Sequence, residues 1–412
     1  MSIAGFPSYD DYQETGYEWL GSAPSHWGVS RLGRSLTPVS EKNRPDLPLL
    51  SITREQGVIE RDIEDQESNH NFIPDDLSNY KVLRAGQFGM NKMKAWQGSY
   101  GVSQHTGIVS PAYYVFKFAE LVDPDYFNIA IRSKLYVSYF GSASDGVRIG
   151  QWDLNKMRMK EIPFLLPPLH EQKRIAQFLD EKTAKIDQAI SIKEQQIALL
   201  KERKKIIVWE VVTKGINSHA PMKDSGIFWI GKMPTHWMLK KIKHYTWHRS
   251  GDGITNSQLS EDGLFQVYGG NGFIGYHDKY NVDGKYIVVG RVGALCGNVR
   301  FESGKKWVSD NALIFRFSNE IDGAYLAIIM EAADLNKLNE SNAQPLITGT
   351  KVANVSIPIA PANERAALID QIRRLSRKID DAIDLKMQQI GALKDYKTSL
   401  INEAVTGKIK VA

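Results

Sequence analysis

The chain has 412 residues, 42% of them hydrophobic and 24% charged, with a formal net charge of +5. That length accommodates two domains of ordinary size with their own cores, and the charge permits a polyanionic partner without demanding one. The single cysteine, Cys296, excludes a disulfide framework and a multi-cysteine zinc site; the absence of any run of about eighteen apolar residues, together with the acidic Asp10, Asp11 and Glu14 near the start, predicts a soluble, cytoplasmic protein.

In chain order, the first region (residues 1–168) opens with Gly16-Tyr17-Glu18-Trp19-Leu20-Gly21 and Pro24-Ser25-His26-Trp27 and closes on Ile162-Pro163. Short aromatic and β-branched runs such as Val115-Phe116-Lys117-Phe118, separated by Gly and Asn, predict curled β-sheets, with a helix around residues 126–140. Leu166-Pro167-Pro168-Leu169 reads as a stop and start signal for a helix over residues 169–215. Its apolar positions Leu179, Ile186, Ile190, Ile197, Leu200 and Ile207 repeat every three, four or seven residues. Such a period of about 3.5 makes a narrow stripe that only another helix buries.

The second region (residues 216–361) repeats the opening as Gly226-Ile227-Phe228-Trp229-Ile230-Gly231 and Pro234-Thr235-His236-Trp237, and closes on Ile357-Pro358. Runs such as Tyr286-Ile287-Val288-Val289 and Ala312-Leu313-Ile314-Phe315 again predict strands, with a helix around residues 324–338. A second long helix (residues 362–412) follows, and within it residues 364–409 match residues 171–216 at a constant offset of 193. Ile372, Ile379, Ile383, Ile390, Leu393 and Leu400 form the matching seam, interrupted at equivalent places by Thr183 and Ser376, Lys193 and Lys386, and Lys204 and Lys397. Matched polar breaks disfavour slipped registers and make each helix the natural partner of the other. The tether from residue 215 to the next domain is short against a helix of roughly 65 Å, so the second helix must run back antiparallel to bury its seam. The expected fold is therefore α+β: two mainly-β domains separated by two long antiparallel helices in a coiled coil, an internal pseudo-two-fold repeat.

Several catalytic motifs are present only in fragments. Gly270-Asn271-Gly272-Phe273-Ile274-Gly275 satisfies G-x-G-x-x-G, but Tyr276-His277-Asp278-Lys279 follows in place of an amphipathic helix that would meet a pyrophosphate. Gly226 to Lys232 has phosphate-loop spacing, yet Met233 stands where a Ser or Thr must ligate Mg²⁺. His26 and His236, each beside a Trp, read as structural residues, and Glu202-Arg203-Lys204 lies on a helix without carboxylate partners. No catalytic constellation and no metal or cofactor site is expected in the chain.

Two divergent domains, each introduced by Trp-(Leu/Ile)-Gly-x-x-Pro-x-His-Trp and followed by a long helix, resemble the specificity subunit of a type I restriction-modification system. Tyr268-Gly269-Gly270-Asn271-Gly272-Phe273-Ile274-Gly275-Tyr276, Val289-Gly290-Arg291-Val292-Gly293 and Trp307-Val308-Ser309-Asp310-Asn311-Ala312 are similar to a common form of that family's target recognition domain, and Pro167-Pro168-Leu169-His170-Glu171-Gln172 is similar to the start of its spacer helix. The first domain departs, with Thr53-Arg54-Glu55-Gln56-Gly57-Val58-Ile59 and Pro111-Ala112 at the corresponding places, and the second helix has Asn363-Glu364-Arg365. The resemblance implies a non-catalytic subunit that places two adenine-N6 methyltransferase subunits, and optionally restriction subunits, on a bipartite double-stranded DNA target. S-adenosylmethionine, ATP and Mg²⁺ would belong to those partners.

Base edges carry sequence information while phosphates carry much of the affinity. In the first domain the candidates for DNA contact are Lys92, Lys94, Trp96, Gln97, Ser99, Tyr100, Gln104 and His105, with Arg148; in the second they are Tyr268, Asn271, Tyr276, His277, Arg291, Asn342 and Gln344. Trp96 or Tyr276 could equally close a β-core, and Asp310 and Asn311 fix a turn. The exposed flanks of the helices read either as solvated faces or, by the resemblance, as docking surface for methyltransferase subunits. A protein-interaction scaffold that spaces two β-domains without touching DNA is the alternative reading of the same architecture.

Overall fold

The two apolar stripes become two long helices, α1 (Leu169–Lys214) and α2 (Ala362–Val405). The structure, a computed structural model, describes residues 5–61, 73–148, 151–318, 321–339 and 345–411, with only the backbone of 142, 145–148 and 151. The chain divides into two compact units, one built from residues 1–193 with 388–412 and the other from 194–387. Each unit therefore takes part of both helices.

Within the first unit, Lys397 Nζ reaches Asp187 at 2.7 and 2.6 Å and Lys193 Nζ reaches Gln389 Oε1 at 2.7 Å. Within the second, Lys204 Nζ meets Asp380 at 2.8 and 2.7 Å and Lys386 Nζ meets Gln196 Oε1 at 2.6 Å. Numbers rise along one helix as they fall along the other, so the helix segments in each unit are antiparallel, as the tether length requires. The lysines at the breaks of the seam thus have repeat-related partners across the helix pair. At these half-exposed positions each pair adds only a few tenths of a kcal/mol, but a slipped register would lose all four. The seam itself is covered: Leu179, Ile372, Ile383, Ile390 and Leu400 are buried, and Ile197, Leu200 and Ile207 are half-buried.

The strands of the first unit used below are β1 (Leu36–Val39), β2 (Leu50–Thr53), β3 (Gly57–Glu60), β4 (Phe88–Asn91), β5 (Tyr100–Val102), β6 (Gly107–Val109), β7 (Tyr113–Phe118), β8 (Ser144–Arg148) and β9 (Gln151–Leu154). Those of the second are β10 (Thr246–Ser250), β11 (Phe265–Gly269), β12 (Gly272–His277), β13 (Lys285–Gly290), β14 (Val299–Ser303), β15 (Trp307–Val308) and β16 (Ala312–Phe317). The first unit carries an antiparallel sheet in the order β1-β7-β4-β5, and the second carries β10-β16-β13-β14. These are the same four strands of the repeat in the same order, although little of the sequence between the anchors survives. A hairpin flanks each sheet, β2-β3 in one unit and β11-β12 in the other, the latter joined by a parallel strand, β15.

Aromatic side chains fill the first core: Phe88, Tyr100, Phe116, Tyr126, Phe127, Tyr136, Phe140 and Phe164 are essentially inaccessible, each contributing roughly 1.5–3 kcal/mol by burial. The predicted helix over 126–140 is two helices, Pro124–Ile131 and Lys134–Ser142, because Ser133 adopts an extended backbone and caps the second. Likewise the stretch 324–338 breaks after Gly323–Ala332, where Asp334 takes a positive φ of 50° before a 3₁₀ turn. The G-x-G-x-x-G run forms the turn and second strand of the β11-β12 hairpin, with no helix after it.

Candidate nucleic-acid interface

The repeated Pro-x-His-Trp segment ends on a carboxylate at the start of each long helix. In the first unit His26 Nε2 lies 2.7 Å from Glu171 Oε1, while Trp27 Nε1 and the Tyr9 hydroxyl both donate to Oε2 at 3.1 Å. In the second unit His236 Nε2 lies 2.7 Å from Glu364 Oε1 and Trp237 Nε1 donates to Oε2 at 3.0 Å. Burial works to raise the Glu171 carboxyl, but the hydrogen bonds from Trp27, His26 and Tyr9 outweigh it and hold the group below its ordinary range. Burial and then the Glu171 charge push the Tyr9 hydroxyl up. The histidines are thus structural, each joining a domain to the helix that follows it.

In the first unit, Lys92, Lys94, Trp96 and Gln97 occupy the loop between β4 and β5, where Ala95–Gln97 make one 3₁₀ turn closed by the left-handed Gly98. The β8-β9 hairpin packs on this loop: the Trp96 and Trp152 rings are 5.7 Å apart, Lys92 Nζ is 3.1 Å from Asp153 Oδ2, and Leu154 N donates to Lys92 O. Among the described residues, Trp96 Nε1 and Asp153 Oδ1 are buried without a hydrogen-bond partner. Arg148 belongs by its backbone to β8, opposite Gln151, and its side chain lies outside the described residues. Gln104 and His105 sit at the other end of β5, where His105 Nδ1 is 3.3 Å from Glu60.

Two of the candidates need correction. Tyr100 is fully buried and donates its hydroxyl to Ile131 O at 3.0 Å, and Ser99 is 2% exposed. Both support the β4-β5 loop from inside and present nothing to a base edge; in so short a strand, alternation does not reveal which face is the core.

In the second unit Asn271 is exposed at the tip of the β11-β12 hairpin, its carbonyl accepting from Arg300 at 3.2 Å. A side chain on Gly272, whose φ is +119°, would run into that guanidinium, 2.7 Å from Nη2, so the glycine is required for Arg300 to brace the turn. Tyr268 is half-buried beneath Lys306, whose ammonium stands 4.6 Å from the ring centre and is paired with Glu302. Tyr276 packs edge-on against Phe273, and His277 against Trp307 with Nδ1 3.1 Å from Gln258 O. Arg291 lies beside the hairpin turn, since its neighbours Gly290 and Val292 both approach Gly270; its Nη1 donates to Ser250 Oγ at 3.3 Å, and its Nε is buried without a partner among the described residues. Asn342 and Gln344 lie outside the described residues.

A basic group in the first unit carries no local sequence signal. Lys81 donates to Tyr113 O at 2.6 Å, and Lys81 and Lys156 both stand over the Tyr114 ring, 5.9 and 5.5 Å from its centre. Asn91, beside Lys92, donates to the Tyr113 hydroxyl. Nor does the sequence mark Phe273 and Ile274, which are 50% and 45% exposed on β12. Among the described residues no helix is long and apolar enough to cross a membrane, and no group of three or more His, Cys, Asp or Glu could hold a metal ion.

The family model for the type I restriction modification DNA specificity domain matches residues 113–202 and 234–393. Similar proteins include the MjaVIII specificity subunit of a type I restriction enzyme from Methanocaldococcus jannaschii, 26% identical over 306 residues that cover 68% of this chain and 69% of the relative. The EcoprrI specificity subunit of Escherichia coli is 28% identical over 146 residues, 34% of this chain and 36% of the relative. Among solved structures, a chain from work on complex assembly of the type I R-M system superposes with a TM-score of 0.69 at 14% identity, covering 93% of this chain and 98% of that one. The HsdS subunit from Thermoanaerobacter tengcongensis superposes with a TM-score of 0.52 at 14% identity, covering 96% and 100%.

Proposed function

Because the chain belongs to the type I restriction-modification DNA specificity family, whose domain model covers well over half of it, we propose that its two domains read the two halves of a bipartite, asymmetric DNA target. In that family the specificity subunit recognises DNA sequence and is not itself a catalyst. Residues 1–168 and 216–361 are the two readers, and residues 169–215 and 362–412 are the helices that space them. The observation that carries the reading is the equal strand order of the two four-stranded sheets, β1-β7-β4-β5 and β10-β16-β13-β14, beneath loops of unrelated sequence. One scaffold held fixed under two divergent surfaces suits a protein that reads two different sequences.

In the first domain the reading surface is the β4-β5 loop with the β8-β9 hairpin, contributing Lys92, Lys94, Trp96, Gln97 and Arg148, with Gln104 and His105 beyond it. In the second it is the β11-β12 hairpin, with Asn271 at its tip and Tyr268, Tyr276 and His277 along it, together with Arg291, Asn342 and Gln344. A two-stranded ribbon of this width fits the major groove. Methyltransferase and restriction subunits dock on the chain and carry S-adenosylmethionine, ATP and Mg²⁺.

The test is to assemble the chain with its methyltransferase subunits, map methylated positions by sequencing, and then exchange residues 225–361 for the second domain of another family member. One half of the motif should change and the other persist. A motif that changed in both halves, or DNA methylated without sequence preference, would overturn the reading.

A further inference from the structure

The basic group of the first unit is a convergence of like charges that, among the described residues, the fold neutralises at Lys92 alone. Lys81 comes from the strand Lys81–Leu83, Lys156 from the start of the helix Lys156–Glu161, and both ammonium groups face one ring, that of Tyr114 on β7. Lys92 adjoins them, since Asn91 lies opposite Tyr113 in the β4-β7 register and bonds its hydroxyl. Burial first, then the charges of Lys42, Lys156 and Lys92, holds the Lys81 ammonium below its ordinary range. Among the described residues, the one carboxylate that pairs with any of these four lysines is Asp153, on Lys92. A cation–π contact returns only about 0.5–1 kcal/mol, and bringing cations together on a half-buried surface opposes it. A bound anion would reverse the sign of that repulsion.

Position narrows the anion. Lys92 belongs at once to this group and to the β4-β5 loop, and its partner Asp153 lies on the hairpin that carries Arg148. The lysines therefore flank the proposed reading surface, where the backbone of a duplex passes as its base edges are read. Their compact, rotatable ammonium groups suit phosphate oxygens as point charges and lack the fixed fork that recognises a guanine edge.

Resting on the specificity reading above, we propose that Lys81 and Lys156 over the Tyr114 ring, with Lys92 beside them, form a phosphodiester clamp that positions the first half-site without reading its sequence. Lys92 thereby moves from base reader to backbone contact. The second unit has Ala312 and Leu313 on β16 where β7 has the two tyrosines, so the clamp belongs to one half-site only.

The experiment measures binding of the full chain, assembled with its methyltransferase subunits, to a duplex bearing its methylated motif and to an unrelated duplex, across a range of salt. For Lys81→Gln with Lys156→Gln, the slope of log K against log salt should become shallower by about 0.9 per lysine on both duplexes, with affinity falling roughly five- to tenfold per lysine near 0.1 M salt and the methylated motif unchanged. Lys156→Arg should keep the slope. Lys156→Gln alone gives the same reading at half amplitude if loss of the Lys81 bond to Tyr113 impairs folding. An unchanged slope in a variant that melts like wild type would overturn the clamp, and so would a motif altered at its bases. Wild-type complex that binds without sequence preference would instead sink the specificity reading, with the slope still deciding the clamp; failure to bind DNA at all would overturn both.

Discussion

Replacing Glu171 by Ala should loosen the first unit far more than Glu364→Ala loosens the second, although the two residues are repeat equivalents. Glu171 has an 11% exposed side chain and three donors, two of them buried: Trp27 is 2% exposed and Tyr9 7%. Truncation leaves the indole N–H and the phenol without an acceptor, at roughly 1–3 kcal/mol each, whereas the His26 side chain, 45% exposed, turns to water. The expected loss is about 2–5 kcal/mol. Glu364 is 37% exposed and serves only one buried donor, Trp237, so its loss should stay near about 1–2 kcal/mol. Hydrogen exchange measured on peptides spanning residues 20–30 and 169–180, against 230–240 and 362–373, gives the two openings separately; a difference of about 2 kcal/mol is a roughly thirtyfold difference in protection. Equal protection loss in both units, or a larger loss for Glu364→Ala, would refute the reasoning. The same joint has a pH signature. The Glu171 carboxyl is depressed in the folded state, so its contribution is present above the unfolded value near 4.5 and is lost as pH falls through the lower folded value. Glu171→Gln should remove that acid dependence.

Gly407→Ala should destabilise the first unit by about 2 kcal/mol or more, because φ is +72° and a Cβ would collide with Pro24, 2.6 Å from its Cγ; Gly16→Ala, with a φ of +76° and open space around it, should cost only about 1 kcal/mol, and thermal melts of both variants check the contrast. Lys204→Asp should lower stability slightly and the exchange Lys204→Asp with Asp380→Lys should restore it, a coupling of roughly 0.3–1 kcal/mol in a double-mutant cycle; no coupling would mean that the pair has no part in holding register. Inserting four residues near Gln195 together with four near Gln388 advances each helix about 6 Å while nearly restoring its phase, so sequencing should find the two half-sites unchanged and one or two base pairs further apart; an active variant with the original spacing would show that something other than the helices sets the distance.

The helices were legible because their information is redundant: a seam of six apolar residues, written twice with the same polar breaks, leaves one geometry that buries it. The partners of those breaks were not, since the pairing of Lys397 with Asp187 is visible only once register is known. The histidine of the Pro-x-His-Trp segment was readable as structural from its place in the repeat. Its carboxylate lies 145 residues further along the chain, where no local pattern points to it. Tyr100 and Ser99 were misplaced because a run such as Gln97-Gly98-Ser99-Tyr100 has the composition of a binding loop whichever way its side chains face. The lysines around Tyr114 are illegible for the opposite reason: Lys81 and Lys156 are isolated in sequence and meet over one ring of the sheet.

The tail of α2 has a consequence for how the chain is made. Leu400, Ala404, Val405 and Ile409 are all but inaccessible in the core of the unit that begins at the N-terminal side, against Leu179 and Trp27 among others. On a ribosome the N-terminal domain emerges first, yet its core stays open until some two hundred further residues have been added, which takes roughly 10–40 s at 5–20 residues per second. Residues 194–387 form a compact unit of their own that is fully synthesised before that tail appears. The domain synthesised second is thus the first able to finish folding, and the apolar groove awaiting α2 is the surface most open to chaperones, or to another nascent chain, during that interval.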